Sequence, residues 1–85
     1  MYSFIFTSYG KKVFQKLSSY DQDRILNKLR FFKQVPDIFV YAEKLVNFPW
    51  ATHRLRVWDM RIILSQKSKR EFYVADIWYR GDIYK

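Results

Sequence analysis

The chain has 85 residues, enough for one small domain built round a single core and too few for two. It has no cysteine and one histidine, which excludes a disulfide framework and any thiolate zinc site, so neither a metal nor another cofactor is expected. Sixteen Lys and Arg against eight Asp and Glu leave a formal charge of +8, a field that favours polyanions such as nucleic acid, or an acidic protein partner. Eight Phe, seven Tyr and three Trp can fill the core and still leave rings to meet a partner. The opening Met1-Tyr2-Ser3-Phe4-Ile5-Phe6 lacks a basic start, and no stretch approaches the roughly 18 apolar residues of a membrane span. A cytoplasmic protein without membrane contact is expected.

Residues 2–7 (YSFIFT) are β-branched and aromatic and predict a first strand. Ser8 is placed to cap a first helix running to Ser18, with Tyr9, Val13 and Leu17 as its apolar stripe and Lys11, Lys12 and Lys16 on a wet face. Ser19 followed by Gln22 has capping-box spacing, and Ile25, Leu26, Leu29 and Phe32 continue a second helix until Pro36 stops it. The short link predicts an antiparallel helix hairpin. Residues 37–52 predict irregular structure, with Pro49 against a central strand and only Leu45-Val46 hinting at an extended piece.

From Thr52 the pattern alternates, with His53, Leu55 and Val57 on one face and Arg54 and Arg56 on the other. Trp58-Asp59 is the expected turn, although such two-residue loops favour Gly or Asn. Ile62, Ile63 and Leu64 continue as strand, Lys67 to Arg70 turn again, and residues 71–78 (EFYVADIW) form a last strand before the basic tail YRGDIYK. The order predicts a single α+β domain over residues 1–85. An N-terminal strand and the helix hairpin precede a C-terminal antiparallel meander, giving one antiparallel sheet with helices on one face and the other face open.

A two-residue turn between Val57 and Met60 would bring Arg61 to the face of Arg54 and Arg56. Like charges on neighbouring strands repel, so three arginines in one patch make sense if an anion occupies the gap. Phosphate fits, because guanidinium offers a planar fork of donors, stays charged, and stabilises the charge that develops on phosphorus during phosphoryl transfer. Arg80 and Tyr84 can join the patch from the tail. Spacing alone leaves a second reading open, a solvated sheet face balanced by Asp59, Asp76 and Asp82. His53, sharing a face with Leu55 and Val57, reads first as a structural histidine and second as a proton acceptor. Glu43 reads first as a solvated charge, and Trp50, Trp58 and Trp78 as core or partner contacts.

Residues 54–63, RLRVWDMRII, resemble the strand-turn-strand signature of the RelE/ParE toxin superfamily. Glu43-Lys44-Leu45 stands near that family's lysine-leucine pair, and Tyr79-Arg80-Gly81-Asp82-Ile83-Tyr84 resembles the RelE-type ending. The resemblance spans nearly the whole chain and is strongest from residue 43 onward. It implies a RelE-like fold and, for the RelE branch, the toxin of a type II toxin-antitoxin system. Such a toxin is a metal-independent endoribonuclease, an mRNA interferase, that cuts messenger RNA in the ribosomal A site by attack of a ribose 2′-hydroxyl on its neighbouring phosphate. The partners implied are mRNA, the ribosome and a cognate antitoxin that wraps the basic surface.

Carried over by position, Arg54 and Arg56 match basic residues on the RNA backbone, Arg61 and Arg80 match arginines on the scissile phosphate, and Tyr84 matches the tail tyrosine. Trp58 stands where relatives have the turn glycine, and Tyr79 where they often have lysine or histidine. The general base is therefore unassigned, with His53, Glu43 and Tyr79 as candidates. Two other readings stay open. One is a ParE-like toxin that inhibits DNA gyrase without nuclease activity, against which the arginine-to-tyrosine ending speaks. The other is a non-catalytic RNA-binding domain whose arginines only recognise phosphate.

Overall fold

A computed structural model of the chain describes residues 1–79. The first strand, β1 (Ser3–Phe6), leads into helix α1 (Ser8–Gln15), whose cap is Thr7 and not Ser8. Thr7 Oγ1 accepts the Gly10 N–H at 2.9 Å, while the Thr7 N–H and hydroxyl both donate to the Val74 carbonyl, at 3.0 and 3.3 Å. That long-range anchor holds Thr7 in the extended conformation a cap needs, so the helix begins at Ser8.

Helix α1 ends at Gln15, short of the expected Ser18, because Ser18 is itself the cap of helix α2 (Ser19–Gln34) and accepts the Asp21 N–H at 3.1 Å. The Ser19–Gln22 capping box does not form. Gln22 instead turns its side-chain amide back and donates to the carbonyls of Phe14 and Leu17, at 3.1 and 3.2 Å. The first turn of α2 thereby adds a donor to carbonyls at and just beyond the end of α1, where the regular helical bonds run out.

After α2, residues expected to be irregular form a single 3₁₀ turn (Ile38–Val40) and a short strand β2 (Glu43–Lys44), one step before the Leu45-Val46 pair that hinted at it. Strands β3 (His53–Val57), β4 (Met60–Ser68) and β5 (Glu71–Tyr79) form the expected antiparallel meander. The sheet order is β1-β5-β4-β3-β2, and β1 lies parallel to β5, so the sheet is mixed and not purely antiparallel. The reason lies in chain order: β1 reaches β5 across two helices and three later strands, where no tight turn enforces reversal.

One face of the sheet presents Leu55, Val57, Met60, Ile62, Leu64, Phe72, Val74 and Ile77 to Ile25, Leu29 and Phe32 of α2, with Val13, Phe14 and Leu17 packed at the margin. Tyr9, expected in that stripe, is instead largely exposed. The opposite face is only partly open. Ile63 on it is fully buried, and the loop between β2 and β3 brings Phe48 and Trp50 edge-on to Trp78, with ring centroids 5.5 and 6.3 Å away. The arginine patch therefore sits on a face walled at one end by three rings packed edge to face.

Candidate nucleic-acid interface

The site is built at the tip of the β3–β4 hairpin. Its two-residue loop is Trp58-Asp59, with Val57 paired to Met60 and Arg56 directly opposite Arg61. Trp58 has φ 58° and is, with Asn47, one of two non-glycine residues at positive φ among those described. A positive φ at the first loop position alone is the sign pattern of a type II′ turn, which favours glycine there. An L side chain in this region costs about 1 to 2 kcal/mol.

The turn aims the Trp58 carbonyl at both arginines: Arg56 Nε and Arg61 Nη1 each donate to it at 3.4 Å, and Arg61 Nη1 donates also to the Met60 carbonyl at 3.0 Å. Two guanidinium groups thus converge on one point, held by backbone carbonyls, with most of their donors without a partner among the described residues. Arg54 lies one alternation along β3 on the same face. Its Nη2 donates to Glu43 Oε2 at 2.8 Å, while its Nε is buried without a partner. Glu43 faces Arg54 across the β2–β3 pair, and its carboxyl is held below the usual range. The largest cause is the Arg54 hydrogen bond, followed by the Arg54 charge, with Arg61 and Arg56 adding to it against a smaller effect of burial. All three arginines therefore act on one carboxylate.

Asp76 shares this face but is occupied, Oδ1 accepting the Ile77 N–H at 2.8 Å and Oδ2 the Trp78 indole N–H at 2.7 Å. Among the described residues, Glu43 is the only carboxylate paired with an arginine of the patch.

His53 and Tyr79 stand on the opposite, core-facing side. His53 is 8% exposed, its Nδ1 lies 2.9 Å from Thr52 Oγ1, and its ring packs on Phe39 and Phe72. Burial first, and the Lys44 charge second, push its pKa down, which favours the neutral ring. Tyr79 donates its hydroxyl to Asp21 Oδ2 at 2.6 Å, and that bond, with burial, pushes its pKa up to about 12. A phenol so held is a weaker acid than usual and ties β5 to the start of α2. The structure thus brings together Arg54, Arg56, Arg61 and Glu43 and separates them from His53 and Tyr79. Arg80 and Tyr84 lie outside the described residues.

Tyr79→Phe should lower folding stability by about 1.5 to 3 kcal/mol, the range for one hydrogen bond to a charged group. The stabilisation from a raised pKa is complete below the unfolded tyrosine value of about 10 and is lost as pH rises through about 12. Denaturant titrations between pH 8 and pH 12 should show the wild type losing its advantage over the variant only at the alkaline end. A constant difference across that window would place the Tyr79 contribution in packing.

Sequence reasoning missed a second cluster beside the tip. Arg24 of α2 lies over the Trp58 ring, 4.8 Å from its centroid, and over the Tyr20 ring at 5.2 Å. Tyr20, Arg24 and Lys28 repeat every four residues, which was the available signal, but nothing in it places that helix face against the hairpin.

No family model matches the chain, and no curated protein matches it. Solved structures do. The chain superposes on the isolated Escherichia coli RelE toxin with a TM-score of 0.66 at 23% identity, covering 99% of this chain and 92% of that one. It also superposes on a chain of the archaeal RelE-RelB complex from Pyrococcus horikoshii, with a TM-score of 0.68 at 20% identity, over 94% of this chain and 96% of that one. A chain of the intact E. coli RelBE toxin-antitoxin complex gives 0.67 at 20% identity, over 91% and 94%. The class that these likenesses define is a RelE-like α+β fold, with the N-terminal strand, two helices and strand meander in the same order. In this chain the β3–β4 turn of that fold carries a tryptophan at positive φ.

Proposed function

We propose that this chain is the toxin of a type II toxin-antitoxin system and acts as a metal-independent endoribonuclease on messenger RNA, with the ribosome as the place of cleavage and a cognate antitoxin as its silencing partner. The observation that carries the reading is the arginine row Arg54, Arg56 and Arg61 on the partly open face of a RelE-like sheet, with Glu43 its one paired carboxylate among the described residues. RelE-like structures solved as complexes with RelB support the antitoxin partner. Among the described residues no group of His, Cys, Asp or Glu could hold a metal ion, and no helix is long and apolar enough to cross a membrane.

On this reading Arg54 and Arg56 seat the RNA backbone and Arg61 faces the scissile phosphate. The 2′-hydroxyl gives up its proton as its oxygen attacks phosphorus, the bond to the 5′-oxygen breaks, and the leaving oxygen takes a proton in turn, giving a 2′,3′-cyclic phosphate and a new 5′-hydroxyl end. Guanidinium groups stabilise the phosphorane but are too basic to shuttle its protons. Arg80 and Tyr84 are assigned to the phosphate and to the attacking group by their match to the RelE-type ending alone.

A translating cell extract given the protein should accumulate mRNA fragments with 5′-hydroxyl ends. Intact message beside inhibited DNA supercoiling would assign the chain to the gyrase-directed branch instead. Glu43→Gln separates the remaining base candidate on the arginine face. A carboxylate held low and engaged by Arg54 is a weak base, so the variant should cut within a few-fold of wild type and, with Arg54 released, bind RNA more tightly at low salt. A loss of about 100-fold would make Glu43 the base.

A further inference from the structure

We propose that the outer face of α2 and the hairpin tip form a second RNA groove, continuous with the arginine row, that takes unpaired nucleotides next to the bond to be cut. The proposal rests on the ribonuclease reading above and extends it.

Two shallow depressions meet at Trp58. One, of about 300 Å³, is lined by Arg24, Arg56, Trp58 and Asp59; the other, of about 390 Å³, by Tyr20, Arg24, Asn27, Lys28, Phe31 and Trp58. They share Arg24 and Trp58, and Arg56 belongs both to the first depression and to the arginine row, so one path runs from the row onto the helix. Along it rings and cations alternate: Arg24 lies against Tyr20 and Trp58, and the Lys28 ammonium is 5.3 Å from the Phe31 ring centre. The rings are open, Trp58 being 64% exposed and Tyr20 69%. Rings with adjacent cations are what single-stranded RNA uses, since bases stack on any flat face and phosphates follow the charge.

Trp58 points the same way by its cost. It occupies a backbone conformation that suits glycine and leaves its ring outside the core, so folding alone gives no reason for tryptophan there. A stacked guanidinium holds the ring in place before any ligand arrives, which lowers the ordering cost of binding. An acidic protein segment fits less well, because Arg24 is already paired with Asp21 at 3.6 Å, and Asp59 on the rim adds a second negative charge. A base stacked on Trp58 does not need Arg24 to be free, and Lys28 is left to meet a phosphate.

The probe is a short single-stranded RNA with every 2′-hydroxyl methylated, which cannot be cut, titrated into the full chain by fluorescence anisotropy. Trp58→Ala should weaken binding about tenfold and Trp58→Phe by no more than about twofold, since a smaller ring still stacks. Lys28→Gln should flatten the salt dependence by about 0.7 in the log-log slope, and Arg24→Gln, whose charge Asp21 already offsets, by less. Trp58→Gly relieves the backbone and should melt above Trp58→Ala, yet bind RNA as weakly, which separates binding from folding. Unchanged affinity and slope in the Trp58, Arg24 and Lys28 variants would overturn the groove. So would unchanged RNA affinity alongside weaker binding of an acidic helical peptide, which would give the face to a protein partner. Ribonuclease activity is measured separately, by cleavage of message by the wild type and its loss in the Arg61 variant.

Discussion

Replacing Arg61 by alanine should lower the rate of message cleavage by about 100-fold while leaving the fold intact, the usual loss when one transition-state donor is removed. Arg61 stands on β4, an interior strand of the sheet, and its guanidinium is fixed by the Met60 and Trp58 carbonyls, so it loses little freedom when a phosphorane forms beside it. Arg56, opposite it and more exposed, makes a single long contact to the same carbonyl and should matter more for seating the RNA than for the chemical step. Single-turnover cleavage at saturating protein separates the two: Arg61→Ala should lower the rate itself, Arg56→Ala mainly the half-saturating concentration. Arg61→Lys keeps the charge but not the planar fork, and should recover only part of the loss. Normal cutting by Arg61→Ala would remove the arginine row from the chemistry and leave it as a binding surface.

The arginine face was readable in the sequence because a strand repeats every two residues and a two-residue turn preserves the count, so Arg54, Arg56 and Arg61 had to share a side. The core residues Leu55, Val57, Ile62 and Leu64 follow from the same alternation. What escaped was decided by residues far away in the chain. Thr7 and Ser8 are equally good caps, and the choice is made by the Val74 carbonyl, 67 positions on. Ser18 and Ser19 differ just as little, and Gln22 found a better use at the end of α1 than in its own capping box. The covering of the second face by Phe48 and Trp50, the parallel entry of β1, and the meeting of Arg24 with Trp58 are likewise contacts between distant segments with no local pattern. His53 was ambiguous as a residue type but not in its face, whereas Tyr79, one residue past the predicted last strand, had no predicted face. Both fall on the packed side, where burial and the Asp21 bond set their protonation.

The second large effect concerns the junction of α1 with β5, which that distant contact creates. Gly10→Ala should destabilise the protein by about 1 to 3 kcal/mol, although alanine for glycine within a helix ordinarily stabilises by about 1 kcal/mol. A Cβ built on Gly10 would stand 2.1 Å from the Val74 carbonyl oxygen and 3.1 Å from its carbon, both backbone atoms that cannot rotate away. That same oxygen accepts the two hydrogen bonds of Thr7 that set the start of α1. To make room, the helix must lift by about 1.3 Å, the gap between the 2.1 Å clash and ordinary contact at 3.4 Å. Lifting stretches the Thr7 bonds and loosens Val13, Phe14 and Leu17 from the core margin. For a domain of this size each kcal/mol is worth about 4 to 8 °C in Tm, so thermal unfolding by circular dichroism should resolve the change. Since Gly10 is remote from the arginine row, folded variant at low temperature should still cut RNA. A melting temperature at or above that of wild type would mean that α1 does not rest on β5 through a bare glycine.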